Sequence, residues 1–114
     1  MLIVDDNPRV RWLIKSIIED LVDQVYECCD GDEAVETYAK LQPDRVLMDI
    51  RMNDMDGIVA TTQIKAAFAD AKILIVTDYD DDDLRRAAMA AGASGYVLKQ
   101  DLFSLRRILQ GGQV

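Results

Sequence analysis

Apolar positions along the chain fall into two rhythms: short continuous runs and longer stretches spaced three or four apart. Leu2-Ile3-Val4 opens as an apolar run and Asn7-Pro8 follows it. Asn suits a helix N-cap and Pro the first helical position. Val10, Leu13, Ile14, Ile17, Ile18 and Leu21 then recur at helical spacing and predict one continuous apolar stripe. Val25 to Cys29 reads as a second strand. Asp30 with Glu33 reads as a capping box opening a helix whose buried side is Ala34, Val35, Tyr38 and Leu41. Arg45 to Met48 gives a third strand, residues 49–56 a polar loop, and Gly57 to about Ala67 a third helix. Ile73-Leu74-Ile75-Val76 is apolar at every position, as a strand covered on both faces requires. Asp80 is placed to cap a fourth helix burying Leu84, Ala87, Ala88 and Ala91, which Gly92 stops. Tyr96-Val97-Leu98 makes a fifth strand and Leu102 to Leu109 a fifth helix.

Strands alternating with helices across short connections imply a doubly wound α/β domain with a five-stranded parallel sheet and five helices. Residues 1–110 read as that domain, and 111–114 as a tail or the stump of a linker. The chain has 114 residues, half of them hydrophobic, so it is long enough for one real core.

Composition removes several chemistries. With no histidine, Ser-His-Asp, Cys-His and His-zinc sites cannot be built. Cys28 and Cys29 are adjacent, which fits two small residues of a reduced cytoplasmic protein and not a disulfide or zinc framework. The net charge of −8 argues against direct nucleic-acid contact by this domain. No apolar stretch is long enough for a membrane helix, and Asp5-Asp6 interrupts any signal-peptide pattern.

In an open α/β sheet, ligands bind beyond the carboxyl ends of the strands. Those ends carry Asp5-Asp6, Asp49, Thr77 and Lys99. Neighbouring carboxylates repel one another unless something neutralises them. An all-oxygen cluster suits Mg²⁺, while an ammonium and a hydroxyl match the remaining oxygens of a phosphoryl group. Because a carboxylate can act as nucleophile, the set points to metal-assisted phosphoryl transfer onto an aspartate. Acidic strand ends often only cap helices or face solvent, but five suitable residues on one edge outweigh that explanation.

Leu-Ile-Val-Asp-Asp at 2–6, Val-Leu-Met-Asp-Ile-Arg-Met at 46–52, Met-Asp-Gly at 55–57, Thr77 and Ala-Gly-Ala-Ser-Gly-Tyr-Val-Leu-Lys at 91–99 resemble the receiver domain of bacterial two-component response regulators, the NarL/LuxR subfamily above all. The resemblance implies a flavodoxin-like sheet of order 2-1-3-4-5. It implies Asp49 as phosphoacceptor, Asp6 as a direct Mg²⁺ ligand, Asp5 as a ligand through water and Arg51 as a ligand through its carbonyl. Lys99 would pair with the phosphoryl group, and Thr77 with Tyr96 would form the switch. It further implies a histidine kinase or histidine phosphotransfer protein as donor, homodimerisation as an open alternative, and self-dephosphorylation without ordinary enzymatic turnover. An attached DNA-binding domain would be the output of a longer chain. The rival readings are a phosphorylation-independent receiver-like scaffold and a Mg²⁺-dependent aspartyl-phosphate phosphatase. The second lacks its Asp-x-Asp, since Asp5-Asp6-Asn7 stands there.

Several positions depart from the family pattern. Asn53 replaces a proline and would loosen its loop. Gln100 follows Lys99 where proline with a cis bond is common, and a cis bond without proline costs about 3–4 kcal/mol, yet the site geometry could hold one. Asp78 follows Thr77 in place of a small residue, either as solvated charge or as a brake on phosphodonor entry. Asp80 to Asp83 read as helix-start charge. Trp12 lies off the first helix's stripe, as plain surface or as part of a contact face. Arg85, Arg86, Arg106 and Arg107 read as ordinary exposed helix arginines.

Overall fold

The computed structural model describes residues 1–52 and 55–111. Asn53 and the end of the tail, 112–114, lie outside the described residues. Five parallel strands form one sheet: β1 (Leu2–Val4), β2 (Tyr26–Cys28), β3 (Val46–Met48), β4 (Ile73–Thr77) and β5 (Gly95–Leu98), in the order β2-β1-β3-β4-β5. Between and after them run α1 (Pro8–Ile18), α2 (Gly31–Leu41), α3 (Gly57–Ala67), α4 (Asp82–Ala90) and α5 (Ser104–Gly111).

The continuous apolar strands are explained by a core on each face. Leu2, Val4, Val46, Met48, Ile73 and Ile75 point to the side covered by α2, α3 and α4, where Ala34, Tyr38, Ala60, Ile64 and Ala88 meet them. Ile3, Leu47, Leu74, Val76 and Val97 point to the other side, against Ile14, Ile17 and Ile18 of α1 and Leu105 of α5. Successive residues of β1, β3 and β4 therefore alternate between two buried layers, and Thr77 at the end of β4 is the polar one among them. The register sets Val4 beside Met48, Met48 beside Ile75 and Thr77 beside Leu98. Residues just past the strands accordingly gather on one edge.

The caps at Asn7 and Asp30 follow the sequence, Asp56 adds one that it did not nominate, and two other expectations are corrected. Asn7, Asp30 and Asp56 accept the N–H groups of Arg9, Glu33 and Val59 at 2.8–2.9 Å. Glu33, however, takes the Cys29 thiol instead of returning to the cap. The cap of α4 is Asp81, which accepts Leu84 N–H at 3.0 Å, and not Asp80. Asp80 instead pairs with Arg85 at 3.4 Å.

Three residues of the expected stripes are exposed. Leu13 turns from the core to the edge where the polar residues collect, Leu41 ends α2 beyond the strands, and Ala87 lies on the outer flank of a helix that buries only Ala88. The Lys99–Gln100 bond is trans, and residues Lys99–Asp101 form a 3₁₀ turn leading into α5. Trp12 is 67% exposed, as its place off the stripe implies. Among the described residues, no helix is long and apolar enough to cross a membrane.

Candidate functional site

The sheet edge brings together Asp5, Asp6, Asp49, Thr77 and Lys99, all five residues that the strand ends nominated. Asp5, Asp6, Asp49, Arg51, Asp78 and Lys99 line one cleft of about 340 Å³, walled on one side by Val10, Leu13 and Leu102. A larger cleft of about 720 Å³ lies at the opposite end of the strands, between Met1, Gln24, Pro43 and Arg45. Neither cluster of metal-competent groups found among the described residues lies in it.

Backbone geometry fixes the two buried carboxylates. Asp5 N–H continues the sheet by donating to Cys28 O at 3.1 Å, and Asp49 N–H donates to Val4 O at 2.9 Å. Each residue leaves its strand with its N–H already paired. Asp5 Oδ1 accepts Asn7 N–H at 2.9 Å and Asp49 Oδ1 accepts Ile50 N–H at 2.9 Å. Gly57 closes the frame from α3: its N–H reaches Ile50 O at 2.8 Å, and a Cβ there would lie 1.8 Å from Asp49 O. Only glycine allows this approach.

Lys99 lies between the carboxylates, with Nζ 2.8 Å from Asp5 Oδ2 and 3.3 Å from Asp49 Oδ1. Burial works against its charge, but the hydrogen bond to Asp5 and the charges of Asp49 and Asp5 more than offset this and raise its pKa. Asp49 is only 5% exposed. Burial first, then the neighbouring Asp5 charge, pushes its carboxyl up to about 6 in spite of Lys99. One ammonium thus undercompensates three carboxylates.

Ligand oxygens of Asp5, Asp6 and Asp49 lie within 4.8 Å of one another. An all-oxygen set with excess negative charge fits a hard divalent cation. The other cluster, Cys29, Asp30 and Glu33, is committed elsewhere, because Asp30 caps α2 and Glu33 accepts the Cys29 thiol.

The remaining nominated residues lie beside the cleft. Thr77 is fully buried, and its hydroxyl accepts Tyr79 N–H at 3.2 Å. Tyr96 donates its hydroxyl to Tyr79 O at 2.6 Å, with the Arg85 guanidinium 4.4 Å above its ring. The Arg51 side chain stacks on the Tyr79 ring at 5.0 Å. Asp78 is exposed at the cleft, and its charge is among those that raise Lys99.

Two participants carried no sequence signal. Tyr79 is tied to Thr77, Tyr96 and Arg51 at once, two of those ties through its main chain. Arg11 donates to Asp5 O at 2.6 Å and pairs with Glu27 at 3.0 Å, bracing the acidic loop against β2. The helix arginines are largely engaged: Arg86 with Asp83, and Arg106 with Asp20.

Comparison with known proteins supplies the family. The sequence family described as the response regulator receiver domain matches residues 1–110. The chemotaxis protein CheY of Halobacterium salinarum is 40% identical over 87% of this chain and 82% of its own. The transcriptional regulatory protein LiaR of Bacillus subtilis is 39% identical and the response regulator VraR of Staphylococcus aureus 40%, each over 87% of this chain. The chain spans about half the length of those two relatives, 48% in each case. Among solved structures, a LuxR-family response regulator from Aurantimonas superposes with a TM-score of 0.82 at 34% identity, over 96% of this chain and 84% of its own. The CheX–CheY–BeF₃–Mg²⁺ complex from Borrelia burgdorferi gives 0.89 at 26%, over 99% and 87%. The chain belongs to the response regulator receiver domains of two-component systems, with the fold and acidic cleft of that family.

Proposed function

We propose that this receiver takes a phosphoryl group from the phosphohistidine of a histidine kinase or histidine phosphotransfer protein onto Asp49. The observation that carries the reading is the Lys99 ammonium held between Asp5 and Asp49 at the mouth of a cleft rimmed by a third carboxylate. Asp49 Oδ1 is occupied by Ile50 N–H and Lys99, so Oδ2 is the oxygen free to attack. A P–O bond forms as the donor's P–N bond breaks, and the phosphoimidazolium, already protonated on its other ring nitrogen, departs as neutral imidazole. Hydrolysis later restores the carboxylate and releases inorganic phosphate. Lys99 and the Thr77 hydroxyl offer a charge and a donor to the phosphoryl oxygens.

Asp6, Asp5 and Asp49, with the Arg51 carbonyl, would hold Mg²⁺, which supplies charge neutralisation for the transferred group. The match to a CheY solved with BeF₃ and Mg²⁺ supports that choice of ion. Phosphorylation would bias a two-state surface through Thr77 and Tyr96. The domain itself supplies transfer and hydrolysis chemistry but acts as a switch, not as a turnover enzyme. In a longer chain, that surface would govern an attached DNA-binding domain.

The test is intact mass after incubation with acetyl phosphate and Mg²⁺, beside Asp49→Ala. A single alkali-labile phosphoryl adduct that needs both the metal and Asp49 is expected. A folded wild type that gains no adduct and binds no beryllofluoride would make the domain a phosphorylation-independent scaffold.

A further inference from the structure

In the loop after β4, beside the Asp80–Arg85 pair and the Asp81 cap, Tyr79 is held at three points. Its N–H is taken by the Thr77 hydroxyl at 3.2 Å, its carbonyl by the Tyr96 hydroxyl at 2.6 Å, and its ring by the Arg51 guanidinium at 5.0 Å. The first two ties are main-chain contacts that any residue could make. The third depends on the side chain and spans two loops, because Arg51 follows Asp49 by two residues while Tyr79 follows Thr77 by two. Both side chains lie at the rim of the acceptor cleft.

Thr77 Oγ cannot keep its present geometry toward Tyr79 N–H and also turn to an oxygen beyond Asp49. Moving Thr77 Oγ toward the cleft therefore stretches its bond to Tyr79 N–H unless residue 79 moves with it. The stacked ring opposes this for as long as Arg51 stays over it. We propose that Tyr79 is a positioning residue: clamped under Arg51, it latches the loop in the arrangement that withholds Thr77 and Tyr96 from the phosphorylated state. The proposal rests on Asp49 being the acceptor. It adds to that reading a side-chain contact that sets how far the unmodified domain leans away from the switched form.

An exposed cation–π contact is a modest interaction, so its loss should shift a two-state balance by about two- to fivefold. Tyr79→Leu should bind beryllofluoride in the presence of Mg²⁺ tighter than wild type by that factor, with affinity for Mg²⁺ alone unchanged. In the unliganded variant, the amide resonances of Thr77 and Gly95–Leu98 should move part of the way toward their beryllofluoride-bound positions. Tyr79→Phe, which keeps the ring, should match wild type in both readouts. In an Arg51→Gln background, Tyr79→Leu should have no further effect. Tyr79 is 42% exposed, so these variants leave the core intact, and amide dispersion checks their fold. If wild type binds no beryllofluoride, the acceptor reading fails and the latch with it. If wild type binds it and Tyr79→Leu matches it in affinity and in resonance positions, or acts equally with and without Arg51, the latch alone is overturned.

Discussion

Asp49 carries an electrostatic strain whose sign can be tested. Its carboxyl is raised from 3.8 to about 6, chiefly by burial and then by Asp5. Between those values the folded protein binds more protons than the unfolded chain, so stability falls as pH rises through the window. Above it the ionised group costs about 2–3 kcal/mol in the metal-free protein, taking about 1.4 kcal/mol per pKa unit. Asp49→Asn should therefore be more stable than wild type by that order at pH 7.5 and nearly equal to it at pH 4. Urea midpoints at the two pH values check this, and an equal gap at both would show that burial does not strain the carboxylate. Gly57 is the opposite case, a residue with no chemistry whose absent side chain places the acceptor. Gly57→Ala sets a Cβ 1.8 Å from the Asp49 carbonyl oxygen and should destabilise by about 3 kcal/mol, the upper part of the range for overpacking. A variant as stable as wild type would mean that α3 can back away freely. Asp5, Asp49, Thr77 and Lys99 were legible because each follows an apolar strand, where the fold class predicts function. Tyr79 and Arg11 were not, because one stacks on a residue of another loop and the other reaches a distant main-chain carbonyl, and neither contact leaves a residue pattern.

At the level of elements, sequence reading succeeds where burial is two-sided and weakens where it is one-sided. The central strands need apolar residues at nearly every position, so Ile73–Val76 of β4 stands out, and α3 runs from Gly57 to Ala67 as its sequence predicts. Periodicity located the helical stripes but not their edges, so Leu13 and Ala87 on the helix flanks and Leu41 at the end of α2 are exposed. The start of α4 failed for a different reason. Four consecutive aspartates, Asp80 to Asp83, are chemically equivalent as caps, and only the loop's path selects Asp81. Asp81→Ala should accordingly cost about 1 kcal/mol, as loss of an N-cap does, while Asp80→Ala changes stability by no more than a few tenths. Reversed values would put the cap back one residue. On the opposite face, Arg106 grips both Asp20 oxygens and the Ile17 carbonyl, joining α5 to the end of α1. Arg106→Ala should speed amide exchange along α5 more than Arg107→Ala does, and equal rates would show that the apolar contacts of Leu105 alone hold the helix.

For the whole molecule, folding itself creates the acidic cleft. Asp5 and Asp6 follow β1 and Asp49 follows β3, and only the pairing of those strands brings their oxygens within 4.8 Å. The unfolded chain has no such arrangement, so a cation held there binds the folded state in preference and stabilises it by mass action, about 2.7 kcal/mol at a hundredfold excess over its dissociation constant. The same cation competes with the proton on Asp49, which ties its effect to the window that ends near pH 6. Below that value Asp49 is protonated and the cleft loses a ligand. Above it the ligand is free, and the cation relieves the repulsion that otherwise makes the fold less stable. Mg²⁺ should therefore raise the melting temperature strongly at pH 8 and weakly at pH 5, against NaCl of equal ionic strength, and Asp49→Asn should flatten that difference. A net charge of −8 would also attract cations diffusely, but screening by salt acts alike on wild type and variant and does not follow the titration of one carboxyl. Equal Mg²⁺ increments at the two pH values would assign the effect to that diffuse charge and take Asp49 out of the cation's coordination.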